Sequence, residues 1–260
     1  MYHEINSKDN TLIKNVIRLI IDSSYRRKNN LAVISGRNLI IESLKHNLLQ
    51  DILVSKSSLD KYADIITKIK ASTKIHVLNE EVVKKINLVE SGIDIIGVIN
   101  IKTPIIDETI YNNDCIILEN IADPGNLGTI LRVAGAIGIK NMILSYNCVD
   151  VYSPKVLRSS AGIQFSLNVL ANVEIKDFLS KYQGQVLATT PHTDSSIYKH
   201  NLTPITAWVF GNEGSGISPQ LFEQIQIKVK IPMSGNAESL NVAMAATVCL
   251  FEMMRQRDGI

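Results

Sequence analysis

The sequence predicts an α/β protein of two domains, and three observations carry that prediction. Strand-like and helix-like runs alternate along both halves of the 260 residues, as they do where helices cover a sheet. The alternation stops over residues 101–112, a stretch without periodicity that contains Pro104. Beyond it the strand-like runs are continuously apolar, as with Cys-Ile-Ile-Leu inside 114–119, the pattern of strands buried on both faces of a parallel sheet. The expected organisation is a small α/β domain over 1–105, a linker over 106–112 and a second α/β domain over 113–260.

Leu12, Ile13, Val16, Ile17, Ile20 and Ile21 recur at helical spacing after capping residues at 9–11, so the chain should open with a helix. The basic cluster Arg26-Arg27-Lys28 follows in an expected loop. Strands are predicted at 31–35, 51–54, 74–78 and 93–99, with helices at 38–46, 59–70 and 80–86 between them. In the second half, strands are predicted over 114–119 and near 141–145, 165–170, 185–190, 206–210 and 226–230. Helices are expected over 127–138 and from about 240 to 256. No repeat interrupts this pattern, and a mostly parallel sheet follows from it.

Composition narrows the function classes. At 45% hydrophobic and 20% charged residues, the chain should form a core rather than stay disordered. Its longest apolar runs fall short of a membrane span, and its start has no basic stretch leading into an apolar one. Three widely spaced cysteines without a C-x-x-C pair fit a reduced, cytoplasmic protein without structural zinc. The net charge of +2 is uneven: residues 1–105 carry 16 basic and 11 acidic side chains, residues 106–260 carry 11 and 14. A basic module suggests an anionic partner, although a lysine-rich solvated surface has the same composition.

Three segments place turn-forming residues beside polar side chains where a strand gives way to a loop or helix. In Asn120-Ile-Ala-Asp-Pro-Gly-Asn-Leu-Gly-Thr-Ile-Leu-Arg132, Asp123-Pro-Gly signals a turn, Asn126 is placed to cap a helix from Leu127, and Arg132 lies under two turns on. By itself this is also the pattern of a capped helix bearing a surface arginine. Gly211-Asn-Glu-Gly-Ser-Gly216 follows the apolar run Ala207–Phe210 and carries Glu213. It reads G-x-x-G-x-G, unlike the dinucleotide fingerprint, and alone it is also an ordinary glycine turn. The third segment, Ile231-Pro-Met-Ser-Gly-Asn-Ala-Glu-Ser-Leu-Asn241, puts Ser239 and Asn241 at the start of an alanine-rich helix. Capping by Ser239 alone would not need Asn241.

Taken in order, the three segments resemble the signature motifs of SpoU/TrmH-type RNA ribose methyltransferases of the SPOUT superfamily, over about residues 114–257. The resemblance implies an α/β catalytic domain with a trefoil knot. It implies catalytic roles for Asn126, Arg132, Glu213, Ser239 and Asn241. It also implies S-adenosylmethionine as cofactor, without metal, held around Thr189, Gly211, Ile231, Met233, Leu240 and Asn241. Tyr152-Ser-Pro-Lys-Val-Leu-Arg-Ser-Ser-Ala-Gly162 is similar to a family segment associated with RNA contact, which adds Arg158. Ser35–Lys45 and, in outline, Glu90–Gly97 resemble the family's N-terminal RNA-binding module, with Arg26, Arg27, Lys28 and Arg37 as the expected phosphate contacts.

The implied protein is a cytoplasmic homodimer that methylates a ribose 2′-hydroxyl, with a guanosine of large-subunit (23S) ribosomal RNA as the expected target. A tRNA target and a non-catalytic RNA-binding homologue are the alternatives. Arg132, effectively always protonated, is expected to act as phosphate anchor and stabiliser of the developing alkoxide. Glu213 is expected to fix its guanidinium.

Overall fold

Residues 31–35, an unbroken apolar run ending in Gly36, form the first of the central strands that sequence periodicity marks out. In the computed structural model, which describes residues 2–87, 89, 92 and 94–259, the chain divides into two units. One comprises residues 1–103 with 152–165, the other 104–151 with 166–260.

The first unit contains β1 (Tyr2–Ile5), α1 (Thr11–Ile21), α2 (Ser23–Asn29), β2 (Leu31–Ser35), α3 (Arg37–Lys45), β3 (Leu49–Ser55), α4 (Ala63–Ile66), β4 (Lys74–Leu78), α5 (Glu80–Asn87) and β5 (Ile95–Asn100). Its sheet has the order β1-β4-β3-β5-β2, with β5 antiparallel to both neighbours. Alternation along each strand sorts side chains to two faces. Leu53 meets Ile13, Val16, Val82 and Ile86 on one face, while Ile52 and Val54 meet Ile40, Tyr62 and Ile65 on the other.

Two expectations are corrected in this unit, and one strand is found where none was expected. The short edge strand β1, exposed at Tyr2, His3 and Glu4, gave no alternation to read. The basic cluster is a helix and not a loop: Asp22 caps α2 by accepting from the Tyr25 backbone N–H, and Asn30 ends it at φ +54°. The helix expected over 59–70 shrinks to a 3₁₀ turn at Asp60–Tyr62 and the four residues of α4. There Tyr62, at φ −113° and ψ 14°, leaves the helical region while its ring is buried and its hydroxyl donates to Asp94 at 2.7 Å. Ile93, the first residue of the strand expected at 93–99, lies outside the described residues, as do Glu90 and Ser91.

The second unit contains β6 (Cys115–Leu118), α6 (Pro124–Ala136) and β7 (Asn141–Leu144). The chain then runs through α7 (Pro154–Ser160), which packs within the first unit, where Leu157 and Phe165 join the core beside Ile40 and Tyr62. It resumes with β8 (Asn168–Leu170), α8 (Ile175–Leu179), β9 (Gln185–Thr189), β10 (Thr206–Phe210), α9 (Pro219–Gln224), β11 (Ile227–Val229) and α10 (Val242–Asp258). The sheet order is β11-β9-β10-β6-β7-β8 and every pairing is parallel. This explains the continuous apolar runs: Cys115 to Leu118 and Thr206 to Phe210 are all buried. Ile175, Phe178, Leu221 and Ile225 pack on one side of the sheet. On the other, α6 contacts α10, and Trp208 Nε1 donates to Met253 Sδ at 3.4 Å. Truncating one of these buried side chains to alanine would cost about 2–5 kcal/mol.

A parallel sheet sends the carboxyl ends of all its strands to one edge, where open α/β sheets bind ligands. The loops after β6, β10 and β11 are the three segments singled out from the sequence, and the order β11-β9-β10-β6 makes them neighbours.

Candidate functional site

Helix α6 starts three residues earlier than the sequence suggested. Its cap is Asp123, whose carboxylate accepts from the Asn126 backbone N–H at 2.8 Å, with Pro124 in the first turn. Aspartate at the cap followed by proline is a favourable helix start. Asn126 is thereby released from capping, and its side chain turns to other partners. Its Nδ2 donates to Glu213 Oε1 at 2.9 Å, and its Oδ1 accepts from Asn241 Nδ2 at 2.9 Å. Asn241 itself caps α10, accepting from the Ala243 and Met244 backbone N–H groups at 2.9 and 3.4 Å. The chain Asn241→Asn126→Glu213 thus ties the three segments together through one residue from each.

Glu213 also accepts from the backbone N–H groups of Asp123 and Ala122 at 3.1 and 3.3 Å. Partial burial pushes this carboxyl up, but the Asn126 amide and the backbone N–H groups outweigh it and hold the group below the usual glutamate value. The carboxylate is therefore ionised and occupied by donors. It does not fix Arg132, as the sequence reading had expected. Arg132 is exposed on α6 and makes no hydrogen bond or ion pair with the described residues.

Asn212, which sequence reasoning passed over, holds the glycine loop in shape. Its backbone exchanges two 2.9 Å hydrogen bonds with Gly216, and its Oδ1 accepts from the Gly214 and Ser215 N–H groups at 2.9 and 3.1 Å. Its Nδ2 donates to the Asn120 carbonyl at 2.8 Å, which ties this loop to the first segment. An asparagine among glycines was the available signal, since its side chain mimics a turn in the backbone. Gly211 is required by close approach: a Cβ there would lie 2.2 Å from the Gly216 carbonyl carbon. Buried Glu119, at the end of β6, accepts from the Ser218 backbone N–H at 2.7 Å and its hydroxyl at 2.6 Å, fixing the far side of the same loop.

The loops enclose a cavity of about 460 Å³, within the range that holds small ligands. Thr189, Gly211, Ile231, Met233 and Leu240 line it, together with Glu213 and Ser239. Asn241, expected at the cofactor as well, is not among the lining residues, because both ends of its amide are taken up by the helix cap and by Asn126. Ser239 is exposed one residue before Leu240 and does not cap α10, a role that falls to Asn241. A larger cavity of about 550 Å³ opens at the amino ends of the same strands. Its Asp114 and Arg257 are spent on each other, and none of the three segments reaches it.

The expected RNA contacts divide. Arg27 and Lys28 are exposed on α2 and Arg158 on α7. Arg37 is engaged by Asp64 at 2.8 Å and by the Lys61 carbonyl at 2.6 Å. Arg26 is a correction: only 4% exposed, it donates to the Leu19 and Ile20 carbonyls at 2.6 and 3.0 Å. It satisfies orphan carbonyls at the end of α1 and has no reach to a phosphate. Among the described residues, no helix is long and apolar enough to cross a membrane, and no group of three His, Cys, Asp or Glu residues could hold a metal ion.

The model of the SpoU rRNA Methylase family matches residues 113–251. An uncharacterized tRNA/rRNA methyltransferase of Synechocystis sp. is 42% identical over 145 residues, which make up 55% of this chain and 53% of that protein. This chain therefore aligns with about half the length of that relative. The 23S rRNA (guanosine(2553)-2′-O)-methyltransferase of Bacillus subtilis is 25% identical over 254 residues, 96% of this chain and 98% of that one. The crystal structure of the SpoU methyltransferase AviRb from Streptomyces viridochromogenes, in complex with the cofactor AdoMet, has a TM-score of 0.83 at 25% identity, covering 96% of this chain and 100% of the other. With the family model matched over more than half of its length, the chain belongs to the SpoU rRNA methylase family.

Proposed function

We propose that the protein methylates the 2′-hydroxyl of a ribose in large-subunit (23S) ribosomal RNA, on a guanosine, using S-adenosylmethionine. The observation that carries this reading is the convergence of three loops on one cavity, beside the Asn241–Asn126–Glu213 chain. The residues present suit the cofactor. Ile231, Met233, Leu240 and Ile217 offer apolar walls to an adenine, and Gly211 brings backbone close to the cavity. Thr189 and Ser239 offer hydroxyls at its lining. S-adenosylmethionine supplies an electrophilic methyl group on a sulfonium. The cavity walls hold it in place, and positioning of the acceptor hydroxyl supplies much of the rate.

The Arg132 guanidinium, a donor without an acceptor site, would anchor a phosphate and stabilise negative charge on the acceptor oxygen. It does not line the cavity of its own chain. That supports a homodimer in which Arg132 of one subunit serves the cavity of the other. The exposed side chains Met244 and Phe251, 64% and 41% accessible on α10, would be covered there. The family's trefoil knot, independence from metal and a cytoplasmic location belong to the same proposal. The names of relatives acting on 23S rRNA guanosine, one of them matched over nearly the full chain, support the ribosomal target.

The test is methyl transfer from labelled S-adenosylmethionine to unmethylated 23S rRNA and to total tRNA, with ribose methylation mapped by resistance to alkaline cleavage. The expected outcome is one modified ribose in 23S rRNA. Label confined to tRNA would replace the ribosomal assignment, and label on a base would reject ribose chemistry.

A further inference from the structure

An aromatic side chain of the second unit stands apart from the catalytic segments and has no structural task. Tyr146 is 63% exposed, whereas Tyr62 and Tyr182 are buried at 3% and 8%. Its hydroxyl makes no hydrogen bond with the described residues. A lone exposed aromatic residue needs no explanation in itself. The placement of this one is what singles it out.

Tyr146 lies in the turn after β7, at the same carboxyl edge as the cavity, and this turn is pinned to the first catalytic segment. The Ser145 backbone N–H donates to the Leu118 carbonyl at 3.0 Å, and the Asn120 N–H donates to Ser145 Oγ at 2.9 Å. The Val149 N–H donates to the Ile121 carbonyl at 2.8 Å. The tyrosine therefore projects from a rigid mount, tied to the neighbouring loop at Asn120, three residues before the Asp123 cap.

The sheet order sets the direction. The cavity is closed by loops after β11, β9 and β10, the Glu213–Asn126 pair sits over β10 and β6, and Tyr146 follows on β7. Neighbouring strands are about 4.8 Å apart. A ribose held beside Glu213 and Asn126 would lie about one strand spacing from β7, so a base turned along the sheet towards β7 would reach the turn that carries Tyr146. The two other highly exposed tyrosines are elsewhere: Tyr2 is on the edge strand of the first unit, and Tyr198 lies beyond β9 near the Ser196–Lys230 bridge. Single-stranded RNA is commonly gripped by stacking unpaired bases on such rings.

We infer that Tyr146 is the stacking platform for the base of the target nucleotide, and so a determinant of how tightly the unpaired target is held. The inference rests on the proposed RNA ribose methylation. Stacking needs the ring and not the hydroxyl, so Y146F should behave as wild type. Y146A should raise KM for unmethylated 23S rRNA about tenfold, with affinity for S-adenosylmethionine unchanged. A loop that served only as structure would move cofactor affinity as well. Y146W supplies a direct readout, because Trp208 is fully buried and its emission should not respond to RNA.

The emission of Y146W should be quenched as 23S rRNA binds, at the concentrations at which a filter retains the complex. Unchanged emission while RNA is retained overturns the inference, as does a Y146A enzyme with wild-type KM or a Y146F enzyme as impaired as Y146A. If the wild type retains 23S rRNA but transfers no methyl group, the proposed activity fails while quenching and retention still decide the stacking. If it retains no RNA at all, both fall.

Discussion

Glu213 shows how one side chain can tie together loops that line a cavity. Its ionised carboxylate is held by Asn126 and by two backbone N–H groups of the neighbouring loop. A carboxyl lowered in the folded state contributes stability that is fully present above its ordinary value, 4.5 for glutamate, and is lost as pH falls through the lowered one. Affinity for S-adenosylmethionine, followed by calorimetry, should therefore hold from pH 7 down to about 4.5 and fail only at still lower pH, as the Glu213 carboxylate itself takes up a proton. A decline already between pH 7 and 6 would put another group in control. Replacing Glu213 with glutamine places an NH2 group where an acceptor is needed and should weaken binding at every pH. Arg132 predicts a different signature. Arg132→Ala should reduce turnover about 100-fold or more with cofactor affinity within a few-fold, since its proposed partners are a phosphate and the acceptor oxygen rather than the cofactor. Near-normal turnover in that variant would remove Arg132 from the mechanism.

Among elements, α10 does two jobs. Its first turn receives the Asn241 cap that joins Asn126 and Glu213, and its body buries Ala246, Cys249, Leu250 and Met253 against the sheet side that α6 also covers. That leaves Met244, Val248 and Phe251 at helical spacing on the opposite side, with Met244 and Phe251 exposed. A dimer built on this face predicts that Met244→Asp together with Phe251→Asp gives monomers by light scattering and abolishes transfer. A wild type that is monomeric at micromolar concentration and fully active would contradict the shared site. The helix-only view also explains α2. Its basic run looked like a loop because Arg26-Arg27-Lys28 carries no apolar period, yet Asp22 and Asn30 cap a seven-residue helix around it.

For the whole molecule, the basic first unit is proposed as the part that recruits RNA, and the structure sorts its arginines. Neutralising Arg27 and Lys28 with glutamine should weaken rRNA binding and flatten its salt dependence, leaving cofactor affinity alone. Arg26→Ala should instead lower thermal stability by about 1–3 kcal/mol, because it abandons the Leu19 and Ile20 carbonyls. An Arg26→Ala protein of unchanged melting temperature and weakened RNA binding would reverse that assignment. The first unit is also not separable by cutting near residue 105. Leu157 and Phe165 from the later segment complete its core, so a 106–260 fragment would carry α7 without the side chains that bury it.

The sequence by itself determined the two α/β patterns and the parallel character of the second sheet, because continuous apolar runs are local signals, and its three loop segments proposed five polar positions through their family resemblance. It also marked Thr189, Gly211, Ile231, Met233 and Leu240, which do line one cavity. Only the tertiary structure decided which side chain meets which. Asn126 was assigned to a cap that Asp123 fills, Glu213 to an arginine it does not touch, and Arg26 to a phosphate its burial forbids. Each of those pairings spans loops brought together by strand order, or depends on which way one turn faces. A hydrogen bond between residues 126 and 241 has no periodicity along the chain, and so nothing local could announce it.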